Sequence, residues 1–337
     1  MTIPTRFLGP ARLEVGAVGY GAMSFANPYG QSGQYDSETA ARQILDRAAE
    51  LGVTMIDTSD GYGNSEEVLG RALAGHRDDF VIATKFGIVS APFGDAEVKI
   101  DGSPAYARQR LERSLRRLGT DHIDLYYQHR VDPAVPIEDT VGAMADFVAA
   151  GKVRYLGLSE AAPDTIRRAF AVHPITAIET EWSLWERGIE SEVFPLAREL
   201  GIGIVPYSPL GRGALAGAIS SRADLKDGDH RAGMPWYSAE NLDRNLSTVD
   251  VVRGIAAEAG ATPGQVALVW LLAKSPDVVP IPGTRRPAFF EENSLAADVS
   301  LTPAQLGALD RITVSGAREH GTAVDAQNWF DGVTPPR

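Results

Sequence analysis

Cysteine is absent from the 337 residues. That absence excludes disulfides, thiolate-bound zinc, iron–sulfur clusters and cysteine nucleophiles together, and it agrees with a reducing compartment. Long apolar runs are missing too: the longest, residues 266–273, falls far short of the roughly 20 residues that a membrane-spanning helix needs. The N-terminus has no basic stretch followed by an apolar one, so a soluble, cytoplasmic protein is expected. No Lys/Arg run interrupts a chain in which 32 Lys and Arg face 44 Asp and Glu, for a formal charge of −12. Such a charge repels nucleic acid and anionic lipid alike, so the expected partner is a small molecule, with neither nucleic acid nor membrane. The six histidines, at 76, 122, 129, 173, 230 and 320, include no pair one helical turn apart, and no metal site is expected. The oligomeric state is left open.

What is present is ordinary for a globular protein, with 44% hydrophobic and 23% charged residues. The length alone suggests two domains, yet an α/β barrel routinely passes about 250 residues as one. No Pro-, Gly- or Ser-rich linker divides the chain, so residues 1–337 are read as a single domain.

Four segments share one grammar, in which a helical stretch ends in Gly and a β-branched apolar run follows: Leu51-Gly52, Leu118-Gly119, Ala150-Gly151 and Leu200-Gly201. Each Gly reads as a left-handed helix terminator. Asn64 with Glu67, Ser103 before Pro104, and Thr302-Pro303 with Gln305 read as helix starts. Between these marks the pattern predicts helices near 38–51, 65–74, 104–118, 137–150, 163–171, 190–200, 248–259 and 287–295. Strands are expected at 15–21, 54–57, 80–85, 123–128, 153–158, 175–179, 202–206 and 278–280. A small hairpin of residues 6–8 and 12–14 turns at Gly9-Pro10.

Strict alternation of buried strands with helices requires parallel pairing, and eight such units suggest a closed (β/α)8 TIM barrel. A doubly wound open sheet is the alternative. Two stretches break the grammar: residues 211–247, read as a long loop after the seventh barrel strand that serves substrate and cofactor, and 315–337, read as a C-terminal tail over the pocket.

In a parallel barrel the polar residues just past the strand ends converge on one face. Those residues are Asp57 with Tyr62, Lys85, His129, Ser159, Glu179, Tyr207, and Gly283 with Thr284 and Arg285. A Lys cation anchored by a carboxylate favours ionisation of a nearby phenol, whose free pKa of about 10 otherwise makes it sluggish at neutral pH. The phenol then serves as general acid, and a His beside it can orient a carbonyl oxygen that gains negative charge. Each residue alone also has an ordinary structural role available, as strand-end acid, solvated charge or turn aromatic. Residues 211–216 fit G-x-G-x-x-G/A, but Ser208-Pro209-Leu210 intervenes after the strand and no helix pattern follows, which argues against a Rossmann fingerprint.

The segments GVTMIDTSDGYGNSEEVLGRAL, VIATKFG, LYYQHRVDP, GKVRYLGLSE, ETEWSLWE, VPYSPLGRGAL and PIPGTRRPAFFEEN resemble, in order and over nearly the whole chain, the aldo-keto reductase superfamily. That resemblance implies an oxidoreductase in which Tyr62 is the general acid, Asp57 and Lys85 tune it, and His129 orients the carbonyl. It implies NADP as coenzyme, with NAD the less expected choice, held by Gly21, Ala22 and Met23 after the first strand. Ser159 and Glu179 fall at the nicotinamide carboxamide, with Glu160 beside Ser159, and Tyr207 stacks on the ring. Ser208, Leu210 and Arg212 run along the pyrophosphate, Gly283, Thr284 and Arg285 take the 2′-phosphate, and Glu292 and Asn293 the adenosine. Two positions depart from the family. Glu179 stands where Gln is more usual, and a carboxylate cannot donate to an amide carbonyl; Phe289 stands where an Arg is frequent. Trp182, Trp236 and Trp329 are expected to shape the substrate pocket. The expected reaction reduces an aldehyde, ketone or sugar-like carbonyl, or runs in reverse; the alternative is a regulatory coenzyme-binding redox-sensor subunit with little turnover.

Overall fold

The structure, a computed structural model, describes residues 2–26, 36–89, 99–225 and 229–318. The strands are β1 (Thr5–Leu8), β2 (Leu13–Gly16), β3 (Tyr20–Gly21), β4 (Met55–Asp57), β5 (Val81–Phe86), β6 (Ile123–Gln128), β7 (Val153–Ser159), β8 (Ala177–Glu181) and β9 (Gly203–Tyr207). Helices α1 (Ser37–Leu51), α2 (Ser65–Ala72), α3 (Pro104–Leu118), α4 (Ile137–Ala149), α5 (Pro163–Val172) and α6 (Val193–Leu200) return the chain between successive strands. After β9 come α7 (Leu242–Ala259), α8 (Pro263–Leu272), α9 (Pro287–Ser294) and α10 (Pro303–Asp310).

β3 to β9 pair in sequence order, every pair parallel. Residues 278–282 close the ring. Val279 and Ile281 donate to Ile204 O and Pro206 O at 2.9 and 3.0 Å, while Gly19 and Gly21 donate to Pro280 O and Pro282 O at 2.9 and 3.4 Å. Pro280 and Pro282 have no N–H to give back toward β3, so the expected eighth strand closes a (β/α)8 barrel without a continuous ladder. Gly21 and Gly283 permit the closure: a Cβ on either would stand 2.8 Å from Ile281 O or 2.7 Å from Gly21 O.

Strand periodicity sorts the barrel interior. Met55, Ala83, Leu125, Tyr127, Ala177, Val205, Val279 and Ile281 face inward in one apolar cluster, and two residues further along their strands stand Asp57, Lys85, Glu179 and Tyr207. The chemistry-bearing residues are thus the top layer of the interior. β1 and β2 pair antiparallel, and Leu8, Leu13 and Val15 join the same cluster from the opposite end. That hairpin takes up residues 13–16, so the first barrel strand is only Tyr20–Gly21, shorter than the expected 15–21.

Gly52, Gly119 and Gly201 end their helices at φ 75°, 65° and 68°, as their sequence context predicts. Ser103 and Thr302 cap α3 and α10 through their hydroxyls, whereas Asn64 precedes α2 without a side-chain capping bond. Within the expected loop 211–247, the described residues 211–225 and 229–247 are more ordered than a loop. Short 3-10 turns lead into α7, which begins at Leu242, and the Tyr237 hydroxyl donates to Gly211 O at 2.8 Å. Of the tail, Ser315 to Arg318 are described; Ser315 N donates to Asn245 Oδ1 at 2.8 Å. Trp329 lies outside the described residues. No single described helix is long and apolar enough to cross a membrane.

Candidate active site

The ends of β4, β5 and β8 bring Asp57, Lys85 and Glu179 into one buried cluster, each at most 2% exposed. The Lys85 ammonium donates to Asp57 Oδ1 at 2.5 Å and to Thr58 O at 2.9 Å, and stands 3.2 Å from Glu179 Oε1. Its three N–H groups are therefore spent on fixed partners, which aims the ammonium and holds its charge in place. Asp57 pairs with Ala83 in the β4–β5 register, so Lys85 stands two residues further along its strand on the same interior face.

Tyr62 sits in the turn between β4 and α2, where Tyr62 N donates to Ser59 O at 3.1 Å and Ser65 N to Tyr62 O at 2.9 Å. That turn places the phenol ring 5.2 Å from Lys85 Nζ and edge-on to His129, 5.5 Å between ring centroids. His129 follows β6; its N–H donates to Phe86 O at 2.7 Å. Ser59 Oγ accepts from Gly61 N at 3.1 Å and lies 3.1 Å from His129 Nδ1. The Ser59 hydroxyl still has its proton to give, and donating it to Nδ1 is the arrangement that puts the imidazole proton on Nε2. Burial first, then the Arg130 and Lys85 cations, holds His129 well below its ordinary range, so the ring is neutral.

The phenol does not follow the expectation of an acidified group. Burial pushes Tyr62 up to about 12; Lys85 opposes this, and Glu179 and Asp57 reinforce it. With its charge offset by the Asp57 and Glu179 carboxyl groups, the ammonium has little net field left to acidify a phenol. Tyr62 therefore keeps its proton throughout the neutral range.

A cavity of about 810 Å³ opens over this cluster, reaching from Asp57, Tyr62 and Glu179 past Tyr207 to Arg285 and Asn293. Gly21, Met23, Ser208, Leu210, Arg212, Gly283, Thr284 and Glu292 also line it. Five expected coenzyme or substrate residues sit elsewhere: Ala22, Glu160, Trp182, Trp236 and Ser159. Ala22 is fully buried, its carbonyl accepting from Ser65 Oγ at 3.0 Å. Glu160 is turned away from the cavity, because Arg318 binds both its carboxylate oxygens at 3.1 and 3.0 Å. Trp182 packs on Phe194 and Trp270, with its indole N–H donating to Glu190 at 3.0 Å. Trp236 is 1% exposed against Trp185. Both tryptophans are core residues rather than pocket walls: an indole fully wrapped by side chains has no face left for substrate. Ser159 is buried beneath the site and accepts from Arg130 Nη1 at 3.1 Å.

Sequence reasoning did not single out Ser59, Arg130 or Arg318. Ser59 is legible in hindsight as the polar residue between Asp57 and Gly61. Arg318 is not, since its partner Glu160 lies 158 residues away.

The family model of the aldo/keto reductase family matches residues 17–314. A probable aldo-keto reductase 1 of Glycine max is 45% identical over 342 residues, covering 98% of this chain and 95% of the relative. A solved structure of a glycerol dehydrogenase from Gluconobacter oxydans superposes with a TM-score of 0.81 at 28% identity, covering 91% of this chain and 94% of that one. With the barrel and its mouth already placed, these matches identify the chain as a member of the aldo/keto reductase family, an oxidoreductase of carbonyl and alcohol groups.

Proposed function

We propose that this single-domain barrel reduces an aldehyde, ketone or sugar-like carbonyl to the alcohol, or the reverse, with NADP(H) as hydride carrier and Tyr62 as general acid. The observation that carries the reading is the packing of Lys85 and His129 against Asp57 and Tyr62, which line one end of a cavity whose other end carries Arg285 and Arg286. The residues fit a nicotinamide dinucleotide. Asp57 Oδ2, Glu179 Oε2 and Tyr207 Oη are buried polar atoms without a hydrogen-bond partner at the reacting end, and Arg285, Arg286 and Thr284 line the far end. When bound, the coenzyme supplies or accepts the hydride.

The chain's own residues do the rest. A neutral His129 donating from Nε2 orients a carbonyl oxygen toward Tyr62, and the phenol passes its proton to that oxygen as charge develops. Lys85, fixed by Asp57 and Thr58 O, stabilises the phenolate left behind. At the far end, guanidinium forks at Arg285 and Arg286, beside the N-terminus of α9, suit the 2′-phosphate that a protein of charge −12 would otherwise repel. The likeness to a glycerol dehydrogenase supports a small hydroxylated substrate. The test is a panel of aldehydes, ketones and sugars followed at the reduced-nicotinamide absorbance with both coenzymes. Turnover with NADPH supports the reading; tight coenzyme binding with no turnover on any carbonyl would replace it with a binding subunit.

A further inference from the structure

Three charges are locked together at the reacting end, and they do not balance. Asp57 and Glu179 are each 2% exposed and Lys85 is not exposed at all. One ammonium serves both carboxylates, at 2.5 and 3.2 Å. The two carboxyl groups meet at the same ammonium, and Asp57 Oδ2 and Glu179 Oε2 are buried with no hydrogen-bond partner. A proton placed between them supplies the missing donor and brings the cluster to neutrality.

The groups that face Glu179 from the packed elements are Asp57 on β4, Tyr62 in the turn after it, Lys85 on β5, Tyr127 on β6 and Arg130 just beyond. The two phenols are neutral. Arg130 directs its guanidinium to His129 O and Ser159 Oγ at 2.7 and 3.1 Å and acts on Glu179 through space, while Asp57 Oδ2 and Glu179 Oε2 stay without a donor.

We propose that Asp57 and Glu179 share one proton in the free protein at neutral pH, and that this proton is released to solvent when oxidised coenzyme binds but kept when reduced coenzyme binds. The inference rests on the nicotinamide reading above. The oxidised ring is a cation and the reduced ring is neutral, and the ring must lie near Tyr62 for the hydride and the proton to reach one carbonyl. Glu179 lines the same cavity, joined to Tyr62 through Lys85. An ionised Glu179 attracts the cationic ring and gives nothing to the neutral one, so it acts as a positioning residue that distinguishes the two redox states.

Burial first, then Asp57, pushes Glu179 up to about 8, with Lys85 opposing. A nearby cation lowers it, so binding of the oxidised coenzyme strengthens as pH rises toward that value.

The test is fluorescence titration of wild type and Glu179→Gln with NADP+ and with NADPH, from about pH 6.5 to about pH 8.5. The Kd ratio of oxidised to reduced coenzyme should fall several-fold in wild type, up to roughly tenfold per pH unit, and stay flat in Glu179→Gln. Titration of the 2′-phosphate is common to both coenzymes and cancels in the ratio. Calorimetry in buffers of different ionisation enthalpy should show proton release for NADP+ alone. Infrared spectra of the free protein should show a buried protonated-carboxyl band at neutral pH that Glu179→Gln removes. A wild-type ratio independent of pH, with both coenzymes bound, overturns the inference and leaves the enzyme reading standing. Absence of binding by either coenzyme overturns the enzyme reading and the linkage with it, while the infrared band reports on the shared proton by itself.

Discussion

Tyr62 is where the residue types and their environment part company. The order Asp, Tyr, Lys and His at successive strand ends was legible in the sequence, because a parallel barrel sends all its strand ends to one face. The charge on the phenol was not legible: burial and two carboxylates, contributed by strands far apart in the chain, outweigh one lysine. Tyr62 is therefore an acid that holds its proton, and carbonyl reduction should stay flat with pH across neutrality while alcohol oxidation climbs as pH rises. Tyr62→Phe keeps the ring and removes the proton, so kcat for reduction should drop on the order of 10² to 10⁴ with coenzyme Kd nearly unchanged. Lys85→Met should be comparably severe, because it leaves Asp57 and Glu179 facing the phenol without a cation. A pH–rate profile in Lys85→Met identical to wild type would rule out its supporting role. At the far end, Arg285→Ala should lower kcat/KM with NADPH about tenfold or more and leave that with NADH little changed. A wild-type preference for NADH would show that the phosphate site is elsewhere.

Elements announced by punctuation were readable, and elements set by neighbours were not. Helices that end at Gly52, Gly119 and Gly201 have a residue suited to left-handed φ, and their positions follow from sequence. α8 has Val266 to Leu272 buried on every side. A helix apolar all round shows no helical period, and nothing in its pattern separated it from a buried strand. The closing strand was expected at 278–280 and the closing contacts run to 282, but its partial ladder depends on which side the prolines face, a property of the folded register. β7 carries a constraint of the same kind at Gly157. A Cβ there would stand 2.3 Å from the Tyr127 ring and 3.0 Å from Ala177 O. Gly157→Ala should therefore cost about 1 to 3 kcal/mol through overpacking of the barrel interior, and Tyr127→Leu in the same chain should recover part of it. Urea midpoints that are equal for wild type and Gly157→Ala would show that the ring moves aside freely.

The first and last described segments are drawn to the barrel by different forces: the hairpin packs apolar side chains into the bottom, and Arg318 reaches the top through charge. Arg318 pairs with both oxygens of Glu160 and also stands 3.8 Å from a carboxylate oxygen of Glu181 and of Glu186. Because net charge is −12, this buried cation offsets a local excess that solvent does not reach. Burial alone would raise Glu160, but Arg318 and Arg130 outweigh it and hold the carboxyl below its usual range. A carboxylate depressed in the folded state contributes stability above its unfolded value of about 4.3, and that contribution is lost as pH falls through the folded value. Arg318→Ala removes the cation and leaves burial dominant, so Glu160 should rise and the variant should be less stable by about 3 to 5 kcal/mol near neutrality. The deficit should shrink as pH falls below about 5, where protonation relieves the unpaired charge. Arg318→Met combined with Glu160→Gln should recover most of the loss, since it removes both charges and keeps the volume. Urea unfolding at neutral and at mildly acidic pH measures all three chains. A deficit for Arg318→Ala that is the same at both pH values would mean that lost packing, rather than an exposed imbalance of buried charge, is what that arginine prevents.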